Sequence, residues 1–257
     1  MLFAAKSHTG RIRKNNEDAF YIPKSIKGSI TAQLPQNVII IADGMGGHAA
    51  GEVASAAAVK GLLRYFAENS TLDKCEGLGD MICAAVNSAN ADVFNMSQQK
   101  SSFRGMGTTL TAALIFDDEV LIGHVGDSRA YLFDGEKAVQ LTKDHTYVAH
   151  LVESKTITPE EAIIHPKRNV IMRAVGTHSQ TETDLIRFAW KNGDILLLCT
   201  DGLTEYVTDE DICRILEKQD SLEQKVKTLV KLALHRGGAD NVTVAATLND
   251  AKAGASA

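Results

Sequence analysis

Long apolar runs are missing from this sequence. Nothing approaches the roughly 20 consecutive apolar residues that span a bilayer, and the most apolar stretches, VIIIA (38–42) and ILLLC (195–199), are the length of single strands. No membrane association is expected. The N-terminus, MLFAAKSHTGRIRKNNED, has no apolar signal core and turns polar at once, so a secretory leader is not expected either. Cysteine is sparse: Cys75, Cys83, Cys199 and Cys213 form no CxxC pair and no zinc-ligand spacing. Reduced thiols in a cytoplasmic protein are the simpler reading. Long basic runs are also absent and the formal net charge is -5, which argues against a nucleic-acid surface. A protein of this charge that handles phosphate must gather its positive groups, or bound metal ions, at one place.

Internal repeats and low-complexity linkers are lacking as well, and only AKAGASA (251–257) reads as a tail. What remains is an ordinary globular composition, 44% hydrophobic and 23% charged over 257 residues. No boundary divides it, so we expect one domain over 1–250. NVIII (37–41) is a β-branched run that stops at Asp-Gly, predicting a buried strand that delivers Asp43 to a turn. The stretch 51–69 has apolar residues at helical spacing, among them Val53, Val59, Leu62, Leu63 and Phe66, and a second helix is expected over 76–98. From Thr108 the pattern changes to strands joined by tight acidic or Gly turns, read as an antiparallel meander. A polar segment, 144–180, interrupts it. IRFAW and ILLLC then read as a hairpin about an Asn-Gly turn, TDEDICRILEK and SLEQKVKTLVKLALHRG as capped helices, and NVTVAATL as a final strand. Strands that follow one another, with helices in separate blocks, indicate an α+β fold with antiparallel sheets.

Several carboxylates stand where apolar strands end or begin: Asp43 after VIIIA, Asp127 after LIGHVG, Asp201 after ILLLCT and Asp240 before AsnValThrVal. Glu17 and Asp18 lie near the N-terminus. Any single Asp-Gly pair is compatible with a plain turn, and Asp134-Gly135 reads as one. Carboxylates converging from separate strands repel unless cations lie between them. An oxygen-only donor set favours Mg²⁺ or Mn²⁺ over zinc.

Around these carboxylates stand GRIRKNNED (10–18), ADGMGGHAAGEVAS (42–55), GMGTTLTAAL (105–114), HVGDSRAYL (124–132), LTKDHT (141–146), IMRAVGT (171–177), CTDGL (199–203) and GGADNVT (237–243). In order and spacing these blocks resemble the metal-dependent protein phosphatases of type 2C (the PPM family), most closely their compact bacterial members. The resemblance implies a central sandwich of two antiparallel β-sheets flanked by helices, with the site at one end and 144–180 as a flap beside it. It implies two Mn²⁺ or Mg²⁺ ions, with Asp43 bridging them, Asp201 and Asp240 on the first, and Glu17 and the Gly44 carbonyl on the second. Asp18 would hold metal-bound water, and Asp127 would join Asp201 at a weaker third site. Arg13 matches the arginine that grips the substrate phosphate; read without the motif it is equally compatible with a solvated surface arginine. Many eukaryotic relatives carry a histidine where Met45 stands, which leaves the proton donor to the leaving oxygen unassigned. His48, His145 and His165 are candidates.

The activity so implied is hydrolysis of phosphoserine and phosphothreonine in proteins, opposing a bacterial Ser/Thr kinase, by a monomer. The alternative is a catalytically silent relative that only binds phosphoproteins. Loss of a carboxylate or of the arginine would favour it, whereas Arg13, Glu17, Asp43, Asp201 and Asp240 are all present. A metal-dependent esterase or nuclease of similar acidic design is disfavoured by the lack of a basic groove.

Overall fold

A computed structural model describes residues 1–23, 36–46, 49–69 and 77–250. His48, Cys75 and the tail 251–257 lie outside the described residues. Among them the strands are β1 (Leu2–His8), β2 (Asp18–Tyr21), β3 (Val38–Met45), β4 (Gly107–Thr108), β5 (Leu110–Ile115), β6 (Glu119–Val125), β7 (Arg129–Phe133), β8 (Ala138–Gln140), β9 (Asp184–Ala189), β10 (Ile195–Cys199) and β11 (Val242–Leu248). The helices are α1 (Ala49–Glu68), α2 (Leu78–Gln99), α3 (Tyr147–Glu153), α4 (Pro159–Ile163), α5 (Asp201–Thr204), α6 (Asp209–Glu217) and α7 (Leu222–Arg236).

One sheet runs β1-β11-β10-β7-β8 and the other β2-β3-β5-β6-β9, with β4 paired to the end of β3, and every pairing is antiparallel. The apolar runs explain the layering. Ile39 and Ile41 on β3 meet Leu196 and Leu198 on β10 between the sheets. Their neighbours Val38, Ile40 and Ala42 point the other way, under α1 and α2. Ile195, Leu197 and Cys199 likewise face α6 and α7. A strand covered on both faces reads as an unbroken apolar run rather than an alternating one. The two helical layers therefore sandwich the two sheets. Burial of each such side chain contributes about 1.5–3 kcal/mol.

The expected helices form close to their predicted places. In α1, Val59, Leu62, Leu63 and Phe66 are buried on one face, with Val53 packed against the same cluster. Thr208 caps α6 in a reciprocal capping box with Asp211, and Ser221 caps α7 through the Gln224 amide. Arg236, in the last turn of α7, ties back to Asp211 and to the Tyr206 carbonyl. The segment 144–180 holds two short helices, α3 and α4, each opened by a threonine cap. It is fastened by bridges between Thr146 and Ile171 and between Thr108 and Val175.

Three expectations about local order need correction. β3 does not stop before Asp43; it runs on to Met45, with Asp43 paired to Asp18 and Gly44 to Thr108. The strands after Thr108 are not one meander: β5 and β6 pair with each other, then the chain crosses at Gly126-Asp127-Ser128 and β7 enters the other sheet beside β10. Nor do β9 and β10 form a hairpin, since β9 pairs with β6 and β10 with β7 and β11. In the last two cases a short connection joins the two sheets instead of neighbours within one, a choice that turn chemistry alone does not encode. The edge strand β1 was not anticipated.

Candidate active site

The crossings place the acidic residues together. Asp201 follows β10, Asp127 precedes β7 and Asp240 precedes β11, all at one end of the first sheet. Asp18 and Asp43 sit opposite each other on β2 and β3 of the second sheet. The sequence-predicted carboxylates thus converge from both sheets at one end of the sandwich.

Neutral hydroxyls and amides hold them in place. Asp18 Oδ2 accepts hydrogen bonds from Thr243 Oγ1 at 2.6 Å and Thr200 Oγ1 at 3.0 Å. The Asp43 amide donates to Thr109 Oγ1 at 2.8 Å, and that hydroxyl reaches Ser128 Oγ, also at 2.8 Å, beside Asp127. Glu17 packs where only glycine fits. A Cβ on Gly51 of α1 would lie 2.4 Å from Glu17 Oε2, and one on Gly44 would lie 2.1 Å from the Gly51 carbonyl oxygen. The Gly44 amide in turn donates to the Glu17 carbonyl.

Electrostatically the cluster is under stress. Burial, with the charges of Asp18, Asp201 and Asp127 added, holds the Asp43 carboxyl well above the usual carboxylate range. Burial also raises Asp18 and Asp127, with Asp201 a further cause for both, and raises Asp201 itself. Asp240 is engaged by Arg13 Nη2 at 2.7 Å. Among the described residues no three His, Cys, Asp or Glu side chains close on one point as they stand. Yet the buried Oδ1 atoms of Asp18, Asp127 and Asp201 have no hydrogen-bond partner there. Buried carboxylate oxygens without donors are costly unless a cation supplies the missing charge. The donor set is oxygen throughout and rigidly backed, which fits hard divalent ions.

Arg13 lies at the rim, its side chain 53% exposed, with Glu17 and Asp43 close enough to raise its pKa further beyond the contribution of Asp240. Of the candidate proton donors, His145 is tied elsewhere: its Nδ1 accepts the Gly126 amide and its Nε2 faces Asp184. His165 lies beside Tyr147 in the 144–180 segment, the rings tilted with centroids 6.0 Å apart, and its Nδ1 accepts the Lys167 amide. Sequence reasoning missed Thr109, Ser128, Thr200, Asn241 and Thr243. Each stands inside a recognised block, and Ser128, Thr200 and Asn241 directly adjoin Asp127, Asp201 and Asp240 in the chain, which was the signal available.

Comparison with known proteins agrees with this geometry. The sequence model of the family described as "Protein phosphatase 2C" matches residues 10–247. The chain is 36% identical over 239 residues to the serine/threonine phosphatase stp of Listeria monocytogenes serotype 4b, covering 93% of this chain and 92% of that protein. A crystal structure of a bacterial serine phosphatase superposes with a TM-score of 0.88 at 36% identity, covering 97% of this chain and 98% of the other. The catalytic domain of the serine/threonine phosphatase PstP, in complex with two manganese ions, superposes with a TM-score of 0.80 at 38% identity, covering 95% and 96%. With its two stacked sheets, its convergent acidic residues and these matches along nearly its whole length, the chain belongs to the protein phosphatase 2C (PPM) family.

Proposed function

We propose that the chain is a metal-dependent phosphoprotein phosphatase that hydrolyses phosphoserine and phosphothreonine at the carboxylate cluster, within one catalytic domain spanning 1–250. The observation that carries the reading is the set of buried, unpartnered oxygens on Asp18, Asp127 and Asp201, in a cluster whose Asp240 holds a half-exposed arginine, Arg13. Asp43 would serve both of two ions, with Asp201 and Asp240 holding the first ion and Glu17 and the Gly44 carbonyl holding the second ion. Asp18 would hold water at the site, and Asp127 with Asp201 would form a weaker third position. When bound, Mn²⁺ or Mg²⁺ would neutralise phosphate charge and lower the pKa of water enough to make hydroxide available near neutral pH. The presence of manganese in PstP supports this cofactor assignment.

The chain's own groups do the rest. Arg13 offers a planar fork of donors suited to phosphate oxygens, and its exposure leaves it free to exchange Asp240 for a substrate. By donating to Oδ2, Thr200 and Thr243 orient Asp18 and favour its ionised form against the burial that raises its pKa, leaving Oδ1 without a hydrogen-bond partner. The flap 144–180, with exposed Ile163, Ile164 and Met172, would choose among phosphoproteins. A Ser/Thr kinase would be the functional counterpart, and the chain would act as a cytoplasmic monomer. Among the described residues no helix is long and apolar enough to cross a membrane.

The test is hydrolysis of a phosphothreonine peptide by metal-stripped protein titrated with Mn²⁺ and Mg²⁺, beside Asp201→Asn. Turnover that appears with the ion and is lost in the variant supports the reading. Binding of the peptide without turnover under any divalent ion would replace it with a silent phosphoprotein-binding module.

A further inference from the structure

One side chain joins the loop that carries the phosphate-gripping arginine to the strand start that carries Asp240. Residues 9–17, between β1 and β2, form no helix or strand, yet they hold both Arg13 and Glu17. Such a loop needs external partners for its backbone groups to keep one conformation. Asn241, 4% exposed, uses every atom of its amide for this purpose. Its Oδ1 accepts the Glu17 amide at 2.7 Å, and its Nδ2 donates to the Thr9 carbonyl at 2.8 Å and to the Asn15 carbonyl at 2.9 Å. The three contacts grip the loop on both sides of Arg13.

The fit is specific to an amide. A carboxylate of the same volume would keep the Glu17 contact but set an oxygen against two carbonyl oxygens. The loop is also pressed against this strand start: the Arg11 amide donates to the Gly238 carbonyl at 2.7 Å, and a Cβ at Gly10 would lie 2.2 Å from the Asp240 carbonyl oxygen. Arg13 then crosses to Asp240, the immediate neighbour of Asn241. Half-exposed and free of regular structure, Arg13 owes its placement to the backbone on either side of it.

We infer that Asn241 is a positioning residue for phosphate recognition, acting through Arg13 by clamping the 9–17 loop. The inference rests on the phosphatase reading for its consequence in turnover, but the clamp itself is measurable without turnover. It accounts for an asparagine beside Asp240, where a residue that merely filled space would leave two carbonyls and one amide unpaired.

The experiment combines two readouts on the full chain. Hydrogen exchange followed by peptide mass spectrometry compares wild type with Asn241→Ala. Faster exchange confined to 9–17, with β3 and β10 as protected as before, is the expected result. Steady-state hydrolysis of a phosphothreonine peptide is then measured in a double-mutant cycle with Arg13→Ala. Asn241→Ala should lower kcat/KM about tenfold or more in the presence of Arg13, chiefly through KM, the scale of one misplaced charge-assisted hydrogen bond. In the Arg13→Ala background the same change should cost no more than about threefold, because its route of action is gone. Unaltered exchange over 9–17, or an equal loss in both backgrounds, overturns the inference. Should Asn241→Ala lose protection throughout the chain, Asn241→Asp, which keeps the volume and the Glu17 contact, goes through the same cycle under the same criteria. Failure of the wild-type chain to turn over with any divalent ion would count against the phosphatase reading, while the exchange comparison would still judge the clamp.

Discussion

His124 and His145 stack with ring centroids 4.8 Å apart and an angle of 39° between their planes, although both stand in a chain rich in carboxylates. Burial, the largest influence on each, lowers the pKa of both and favours their neutral forms. His124 Nε2 donates to the Lys143 carbonyl, so its Nδ1 is the acceptor for Thr111 Oγ1. His145 accepts the Gly126 amide at Nδ1, which places its proton on Nε2 toward Asp184. Two imidazolium rings at this distance would repel, and His124 is fully buried besides.

A pH dependence of stability follows from His124. Burial first, then the facing His145, lowers its pKa from 6.5 to about 4, against the raising influence of the Lys143 carbonyl, Asp144 and Asp184. Its folded-state pKa lies below the unfolded value, so its contribution is complete above about pH 6.5 and lost as pH falls toward 4. At about 1.4 kcal/mol per unit the loss is on the order of 3 kcal/mol. Urea unfolding of wild type and His124→Gln at several pH values isolates this contribution from that of the carboxylates. The difference between the two should shrink by roughly that amount between pH 6.5 and 4, and a difference independent of pH would contradict the assignment.

Arg129 and Asp144 form a two-pronged ion pair, with Nη2 to Oδ2 at 2.7 Å and Nε to Oδ1 at 3.0 Å, and Arg129 also reaches Tyr131 Oη. It joins the start of β7, two residues beyond Asp127, to the start of the flap. The side chains are 28% and 18% exposed, so removing one partner strands a largely desolvated charge. Asp144→Ala should therefore destabilise the fold by about 2–4 kcal/mol. Asp144→Ala combined with Arg129→Met should recover a substantial part of that loss. Equal destabilisation by the single and double changes would show that shape, not charge, is what the pair supplies.

Much of this was legible in the sequence for a physical reason. Apolar runs bounded by aspartate mark strands buried on both faces that end in a polar site, and Val38–Ala42 with Asp43 and Ile195–Cys199 with Asp201 both behave so. Helix caps are local chemistry, and Thr208 and Ser221 cap as their sequences predict. Partner choice between sheets was not legible. Gly126-Asp127-Ser128 and Asn192-Gly193 have the composition of hairpin turns, while the decision to cross rests on long-range burial by helices far along the chain. The supports of the site, Thr109, Thr200, Asn241 and Thr243, are small polar residues inside strand-like patterns, and only the fold reveals what they face.

Arg13 provides a test of phosphate recognition separate from the metal. Its guanidinium stands at the rim of the carboxylate cluster and is half exposed. Arg13→Ala should raise KM for a phosphothreonine peptide, with a loss in kcat/KM of about 10- to 100-fold, the scale of a charge-assisted hydrogen bond. Arg13→Lys keeps the charge without the planar fork and should recover only part of it. Divalent-ion affinity, read calorimetrically, should change far less than the peptide KM. A Lys variant indistinguishable from wild type would mean that charge alone is recognised.

The flap's far end is fastened by Asn90 of α2, which is wholly buried. Its Oδ1 accepts the Gly176 amide at 2.7 Å and its Nδ2 donates to the His178 carbonyl at 3.0 Å, so one side chain satisfies two backbone groups that follow IMRAV. Asn90→Ala leaves both unpaired beside an apolar helix face, at a cost of about 1–3 kcal/mol. Because the loss falls on the flap's attachment rather than on the sandwich, limited proteolysis should cut within 144–180 sooner than in wild type while the remainder resists. Hydrolysis of nitrophenyl phosphate, which needs little of the flap, should stay within about threefold of wild type, whereas the KM for a phosphoprotein rises further. A uniform fall in both activities would instead assign Asn90 to the stability of the catalytic end as a whole.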